Sequence, residues 1–364
     1  MKLRITLLTI LCLIGITTKP QAQNLSEPTR KTLVEVPEVY ELANVILALT
    51  EVCQADDNLL EQNTAYFKRV IAHFGAFKNH PVVLKTNDAI KKDPQTYQLF
   101  RTSGFNYDFV EGKLKRTKHI IFPKKLILMF SHHLGKVEKL AQDFAEQSKF
   151  RAFYQQEQTY YQWVINDEKR IANIDQMWTW LEERFSSRYQ RYHIIISPLV
   201  AGWHNTSRHK IDGIAETRMF ICSAERTAST TTDSILFKSI TERIVFTEID
   251  HNYVNPVSDQ FKKEIEQAIP DVAKWNSLRY GYKSPMLTFN EYMTFAVFCA
   301  YLSDTYSSID APKVIAAAEN MMVKRREFLK FKEFNQYFLN LYKTQKPKQI
   351  SALYPAILEW CKSQ

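Results

Sequence analysis

Residues 246–256 read FTEIDHNYVNP, and this stretch decides how the rest of the chain is read. It closes the run ILFKSITERIVFTEIDHNYV, whose spacing predicts one helix ending near Asn255, because a residue before proline is biased out of the helical region. On such a helix Thr247 and His251 lie one turn apart on the same face, with Glu248 offset by one residue. The zinc-binding helix motif H-E-x-x-H has this spacing, with a histidine at each end and a glutamate that polarises a metal-bound water. Here Thr247 stands where the first histidine belongs. Taken alone, the fragment reads more simply as a helix surface carrying an ion pair, since a glutamate and a histidine three apart are common.

Catalytic zinc needs three protein ligands and an open position for water. His251 supplies one, and the best second candidate is Glu291, forty residues on in TFNEYMTF. At these residues the sequence resembles the gluzincins, zinc peptidases with an H-E-x-x-H helix and a glutamate ligand on a later helix, in the pattern N-E-x-x-S-D. Asn290, Glu291 and Thr294 fit that pattern, with threonine for serine. With VYELANVILALTEV, ISPL and DHNYVNP the resemblance narrows to an exported bacterial domain family of gluzincin type, and it spans most of the chain after the leader. It implies an α+β, mostly helical, gluzincin-like metallopeptidase core with a small β-sheet and an active-site helix. It makes Glu248 the general base, and His251 and Glu291 zinc ligands. Without it, Glu291 is a first-turn carboxylate favoured by the helix dipole.

Two departures weaken that site. The hydroxyl of Thr247 is a poor zinc ligand beside imidazole or carboxylate. An even share of the roughly 10–16 kcal/mol of a four-ligand structural site is about 3 kcal/mol, or on the order of a hundredfold in affinity. The second departure is Phe295, at the place where the pattern has an aspartate that orients the first histidine. Both point to lost zinc catalysis, with zinc held weakly or not at all.

One repair stands against this. Asp250 borders the same helix face, and with His251 and Glu291 it would form an Asp, His, Glu set suited to zinc, manganese or iron. His193, His204 and His209 are further substitutes, in or just after the strand-like segment YHIIISPLVAGW. The choice is therefore between two classes of protein. One is a pseudo-peptidase or binding module of the cell envelope, whose cleft of Tyr253, Tyr292 and Trp203 holds a peptide or glycan. The other is an active metallopeptidase using Asp250, His251 and Glu291. A serine hydrolase is not supported, because no G-x-S-x-G elbow is present.

Around this core, residues 1–23 read as a signal peptide, with Lys2 and Arg4 before a short apolar run and Ala22 near the cleavage point. The protein is then expected outside the cytoplasm, periplasmic or extracellular, with no transmembrane segment in its mature form. Residues 24–187 form a mainly helical region and 188–364 the catalytic-type region. The first holds the helices VYELANVILALTEV and NTAYFKRVIAHFGAF and a hairpin, FNYDFVEGKLK, turning at Glu111 and Gly112. Its remainder, 124–185, is helical, with Trp163, Trp178 and Trp180 as core or groove aromatics. In the second region YHIIISPLVAGW and ETRMFICS are strands, and TFNEYMTFAVFCAYL and VKRREFLKFKEFNQYFLNLY are helices. Only 8 glycines in 364 residues agree with a helix-rich architecture.

Formal charge is +9, with 48 basic against 39 acidic residues. The densest basic run, KLKRTKHIIFPKK at 113–125, suits anionic envelope polymers or a solvated hairpin edge, and export argues against nucleic acid. Adjacent His132 and His133 point in different directions and form no metal pair. Cys53, Cys222, Cys299 and Cys361 are scattered, so no zinc knuckle or redox motif is formed, while disulfides and buried free thiols both stay open.

Overall fold

The computed structural model describes residues 31–117, 134–211, 213–228, 231–279 and 281–364. The expected signal peptide, the later part of the basic run, and His132 and His133 lie outside the described residues. Among those described, the fold is α+β and mostly helical, with a four-stranded mixed sheet and a two-stranded hairpin. No helix among them is long and apolar enough to cross a membrane.

Two compact units divide the chain, Lys31–Asp175 with Arg191–Glu248, and Gln176–Gln190 with Ile249–Gln364. They interleave along the sequence, whereas the regions 24–187 and 188–364 divide it by motif content. The boundary falls inside the motif helix, between Glu248 and Ile249.

The first unit carries the sheet. Its strands are β1 (Lys31–Glu35), β4 (Arg191–Ile196), β5 (Asn205–Ile211) and β6 (Ile214–Ile221), in the order β1-β4-β6-β5. β1, β4 and β6 are parallel, and β5 pairs antiparallel on the far side of β6. β4 and β6 are the expected strands. RYHIII is buried from its second residue on, the pattern of a strand covered on both faces. β1 and β5 are additional. KTLVE is short, and NTSRHKI has no apolar alternation because it is an edge strand, with exposed Arg208 and Lys210 that discourage further pairing.

The helix Glu38–Ala48 lies on this sheet, and Tyr40, Ile195 and Phe220 form a buried cluster with Phe105 beside it. The helix Gln95–Gly104 crosses close by. A Cβ on Gly104 would stand 2.8 Å from the carbonyl oxygen of Val39, so only glycine permits that approach.

The expected hairpin is present as β2 (Tyr107–Val110) and β3 (Lys113–Arg116). Glu111 (φ 52) and Gly112 (φ 77) both take left-handed backbone, as a two-residue turn matching the strand twist requires. Lys113, Lys115 and Arg116 are exposed on that hairpin. Trp163 departs from the core reading: it is 48% exposed on the helix Gln158–Ala172.

The second unit is built around the helix Pro285–Thr305, which is buried all round from Thr288 to Leu302. Such a helix belongs in the middle of a helical layer. Ser284 caps it, its Oγ accepting from the N–H of Leu287 at 3.2 Å, and Pro285 occupies the first turn. Trp178 and Trp180 are buried here as expected, whereas the four cysteines are all buried and free, which decides against disulfides among them.

The motif helix runs Ser234–Ser258, capped by Asp233, whose Oδ1 accepts from the N–H groups of Ile235 and Leu236 at 3.0 Å. It passes through Pro256 instead of ending near Asn255. Proline leaves the carbonyl four residues earlier without its helical donor. That carbonyl belongs to Asn252, and Tyr189 donates its hydroxyl to it at 2.7 Å.

A second boundary also differs. VKRREFLKFKEFNQYFLNLY is not one helix, because the helix Ala311–Asn320 continues into a π-helical turn, Met321–Arg325, and the chain then reverses at Glu327 (φ 57). The regular helix starts only at Phe331 and ends at Gln345. The irregular turn between them places Arg326.

Candidate functional site

Within the second unit, the motif helix brings His251 to Glu291 of the buried helix, His251 Nε2 lying 3.3 Å from Glu291 Oε1. The resemblance expected this convergence. His251 Nδ1 faces the Thr294 hydroxyl at 3.3 Å and Asn255 Oδ1 at 3.4 Å. Glu291 is 8% exposed and Thr294 fully buried, while the imidazole is partly exposed.

The other oxygen of Glu291 is engaged by a residue that sequence reasoning missed. Arg326 Nη1 lies 2.8 Å from Glu291 Oε2. The guanidinium carbon stands 4.9 Å from the ring centre of Phe295 and 5.3 Å from those of Tyr282 and Phe328. Its Nη2 also donates to the Tyr282 hydroxyl. Burial alone would raise the Glu291 pKa. The Arg326 charge and the His251 hydrogen bond outweigh it and hold the carboxyl down at about 2.

These residues do not fit zinc. A zinc-bound carboxylate places its oxygen about 2 Å from the metal. Here one oxygen of Glu291 carries a guanidinium and the other faces imidazole. Thr247 turns its hydroxyl inward along its own helix, donating to the carbonyl of Arg243 at 2.8 Å. Asp250 is fully buried, and its charge acts on the Tyr354 hydroxyl of the C-terminal helix Tyr354–Lys362. Among the described residues, no three His, Cys, Asp or Glu side chains group as a metal site.

Glu248 is half-buried in the first unit, within electrostatic reach of the fully buried Arg101. Two of the three substitute histidines are engaged in the sheet of the same unit, whereas His204 precedes β5 and its buried Nε2 has no hydrogen-bond partner among the described residues. His193 Nε2 pairs with Glu35 at 2.6 Å, and His209 Nε2 shares a hydrogen bond with the Ser207 hydroxyl at 2.8 Å. His204 sits where burial, then Arg101, Arg243 and Arg226, push its pKa down to about 3.

The expected cleft aromatics divide. Tyr253 and Tyr292 are fully buried. Tyr292 donates to the Trp275 carbonyl at 2.7 Å and accepts from the Lys330 N–H at 3.1 Å, so it is core. Trp203 is 38% exposed, at φ 53, and its carbonyl accepts from Arg101. Asn290 is buried at 8% exposure.

No sequence signal marked Arg326. It lies in the basic run KRRE, 35 residues after Glu291, where the helical pattern assigns it to solvent. Phe295 was the one legible clue, an apolar ring where the pattern has a carboxylate. That ring now packs on the guanidinium.

Compared with known proteins, the chain matches no curated protein and no solved structure. A family model described as a domain of unknown function, DUF4932, matches residues 32–359.

Proposed function

This chain belongs to the DUF4932 family of domains of unknown function, and we propose that it is an exported binding protein on a gluzincin-like frame whose zinc chemistry has been replaced by an ion-paired arginine. The observation that carries the reading is the contact of Arg326 with Glu291 at 2.8 Å. A metallopeptidase uses the charge of zinc to polarise a carbonyl and to acidify a water. A guanidinium supplies positive charge but has no open coordination position, and it cannot deprotonate under ordinary conditions. Glu291 is thereby a structural anion, and Glu248 has no metal-bound water to act on.

Phe295 and Thr247 support the same reading. An aspartate at 295 would serve a histidine at 247, and neither is present. Each position has instead a local use, Phe295 as a ring against Arg326 and Thr247 as a helix back-bond. The ligand class that suits an exported frame of this kind is a peptide or an envelope glycan, held without cleavage.

The test is hydrolysis of a mixed peptide library by the wild-type protein and by Glu248→Gln. The reading expects no cleavage above buffer from either. Turnover by wild type that Glu248→Gln abolishes would establish the opposing account, a peptidase with a non-standard ligand set.

A further inference from the structure

The sheet-bearing unit contains a cavity of about 440 Å³ that the peptidase-like residues do not touch. It opens where β1 meets the helix Glu38–Ala48, and the hairpin strand β2 and the helices Phe150–Gln156 and Gln158–Ala172 complete its wall. Glu35, Glu38 and Asp108 line it, together with the rings of Phe105, Tyr154 and Tyr161. Among the described residues, no lysine, arginine or histidine lines it.

The wall is held in place by contacts of its own residues. Arg151 Nε binds Glu38 Oε1 at 2.9 Å, and His193 Nε2 binds Glu35 Oε1 at 2.6 Å. Each contact uses one carboxylate oxygen, and neither Arg151 nor His193 is among the described lining residues. Tyr154 donates to the Val36 carbonyl at 2.6 Å. The Tyr161 hydroxyl meets that of Tyr66 at 2.7 Å, and Tyr66 donates to Glu41 Oε1 at 2.8 Å, so a fourth and fully buried carboxyl backs the aromatic wall.

A volume of this size is within the range of small-ligand sites. Carboxylates beside aromatic faces recognise organic cations, by charge-assisted hydrogen bonds and by attraction to the ring quadrupole. From the lining we infer that this cavity is a binding site for an alkylammonium or guanidinium group. The group arrives on a free amine or on the side chain of a peptide lysine or arginine. The inference is independent of the metal-like site, which lies in the other compact unit.

Titration calorimetry on the purified protein tests it with three probes: 1,5-diaminopentane, acetyl-Gly-Lys-Gly-amide and its norleucine counterpart. At least one charged probe should bind tenfold or more tighter than the norleucine peptide. The tighter of the two charged probes then identifies the source, free amine or peptide side chain. Gln162 is exposed at the cavity rim, so Gln162→Lys places a competing cation there without disturbing the core, and it should weaken binding at least tenfold at unchanged Tm. Glu35→Gln with Glu38→Gln should also weaken binding at least tenfold. Equal affinity for the charged and norleucine probes, no binding of either charged probe at millimolar concentration, or full affinity in Gln162→Lys would each overturn the inference. Thr247→His should bind these probes as wild type does, so failure here is distinguishable from failure of the proposed function.

Discussion

The guanidinium of Arg326 lies 4.9 Å from the ring centre of Phe295, one helical turn after the glutamate that the same guanidinium neutralises. Two departures from a zinc-site pattern, an arginine no motif contains and a phenylalanine in place of an aspartate, are thus one packed arrangement.

The first prediction concerns that arrangement. Arg326→Met leaves a nearly buried carboxylate that still faces the His251 imidazole. Breaking a buried ion pair costs roughly 3–5 kcal/mol, and since the Arg326 side chain stays 24% exposed the expected loss is about 2 kcal/mol. Adding Glu291→Gln should recover part of it. Urea unfolding of the two single variants and the double variant measures this coupling, and additive losses would mean that the pair is not energetically linked.

Tyr189→Phe removes the donor that serves the Asn252 carbonyl above Pro256. An unsatisfied buried acceptor costs about 1–3 kcal/mol. In a Pro256→Ala background the helix supplies its own N–H to that carbonyl, and the cost of Tyr189→Phe should fall by at least half. Equal costs in both backgrounds would show that the hydroxyl does not stand in for the missing helical donor.

Stability should decline with rising pH because of two buried glutamates in the sheet-bearing unit. Burial pushes Glu41 up to about 7, against hydrogen bonds from Ser197 and Tyr66, and pushes Glu168 up to about 8, against the N–H of Ala224. Both folded values lie above the ordinary 4.5. Their stabilising contribution is complete below that value and is lost as pH climbs through 7 and 8. Glu41→Gln or Glu168→Gln should therefore gain on the order of 2–4 kcal/mol relative to wild type between pH 4.5 and pH 8.5. Denaturation curves at the two pH values decide it, and an unchanged difference would refute the assignment.

The thiols offer a check on the core. Cys53, Cys222, Cys299 and Cys361 are buried and free, and burial raises every one of them, Cys53, Cys222 and Cys361 to about 12. Thiolate is the reactive form, so none should react with a disulfide reagent at pH 8 in the native protein. All should react once it is unfolded. Rapid native labelling of any one would contradict its placement.

Much of this was legible in the sequence, and the limits have physical causes. Apolar periodicity located the helices around Leu42, Val70 and Met293, and the alternation at Phe105, Tyr107 and Phe109 located the hairpin. β5 escaped because an edge strand needs no apolar face. The motif helix was ended too early because a proline rule is local, whereas Tyr189, 67 residues before Pro256, relieves its cost from across the unit. At the candidate site, the resemblance paired His251 with Glu291, and the two side chains lie 3.3 Å apart. Helical spacing and the resemblance could not place Arg326, since an ion pair formed after a π-helical turn has no spacing to recognise. Tyr253 and Tyr292 looked like cleft aromatics because tyrosine suits both a binding surface and a hydrogen-bonded core.

The most direct test of the central claim is zinc content, measured side by side for wild type, Thr247→His and Thr247→His with Arg326→Met after purification in buffer holding micromolar zinc. The account predicts well under one zinc per chain for wild type, little gain from Thr247→His while Arg326 holds Glu291, and an approach to one per chain only in the double variant. One zinc per chain in wild type, lost on His251→Ala, would contradict it.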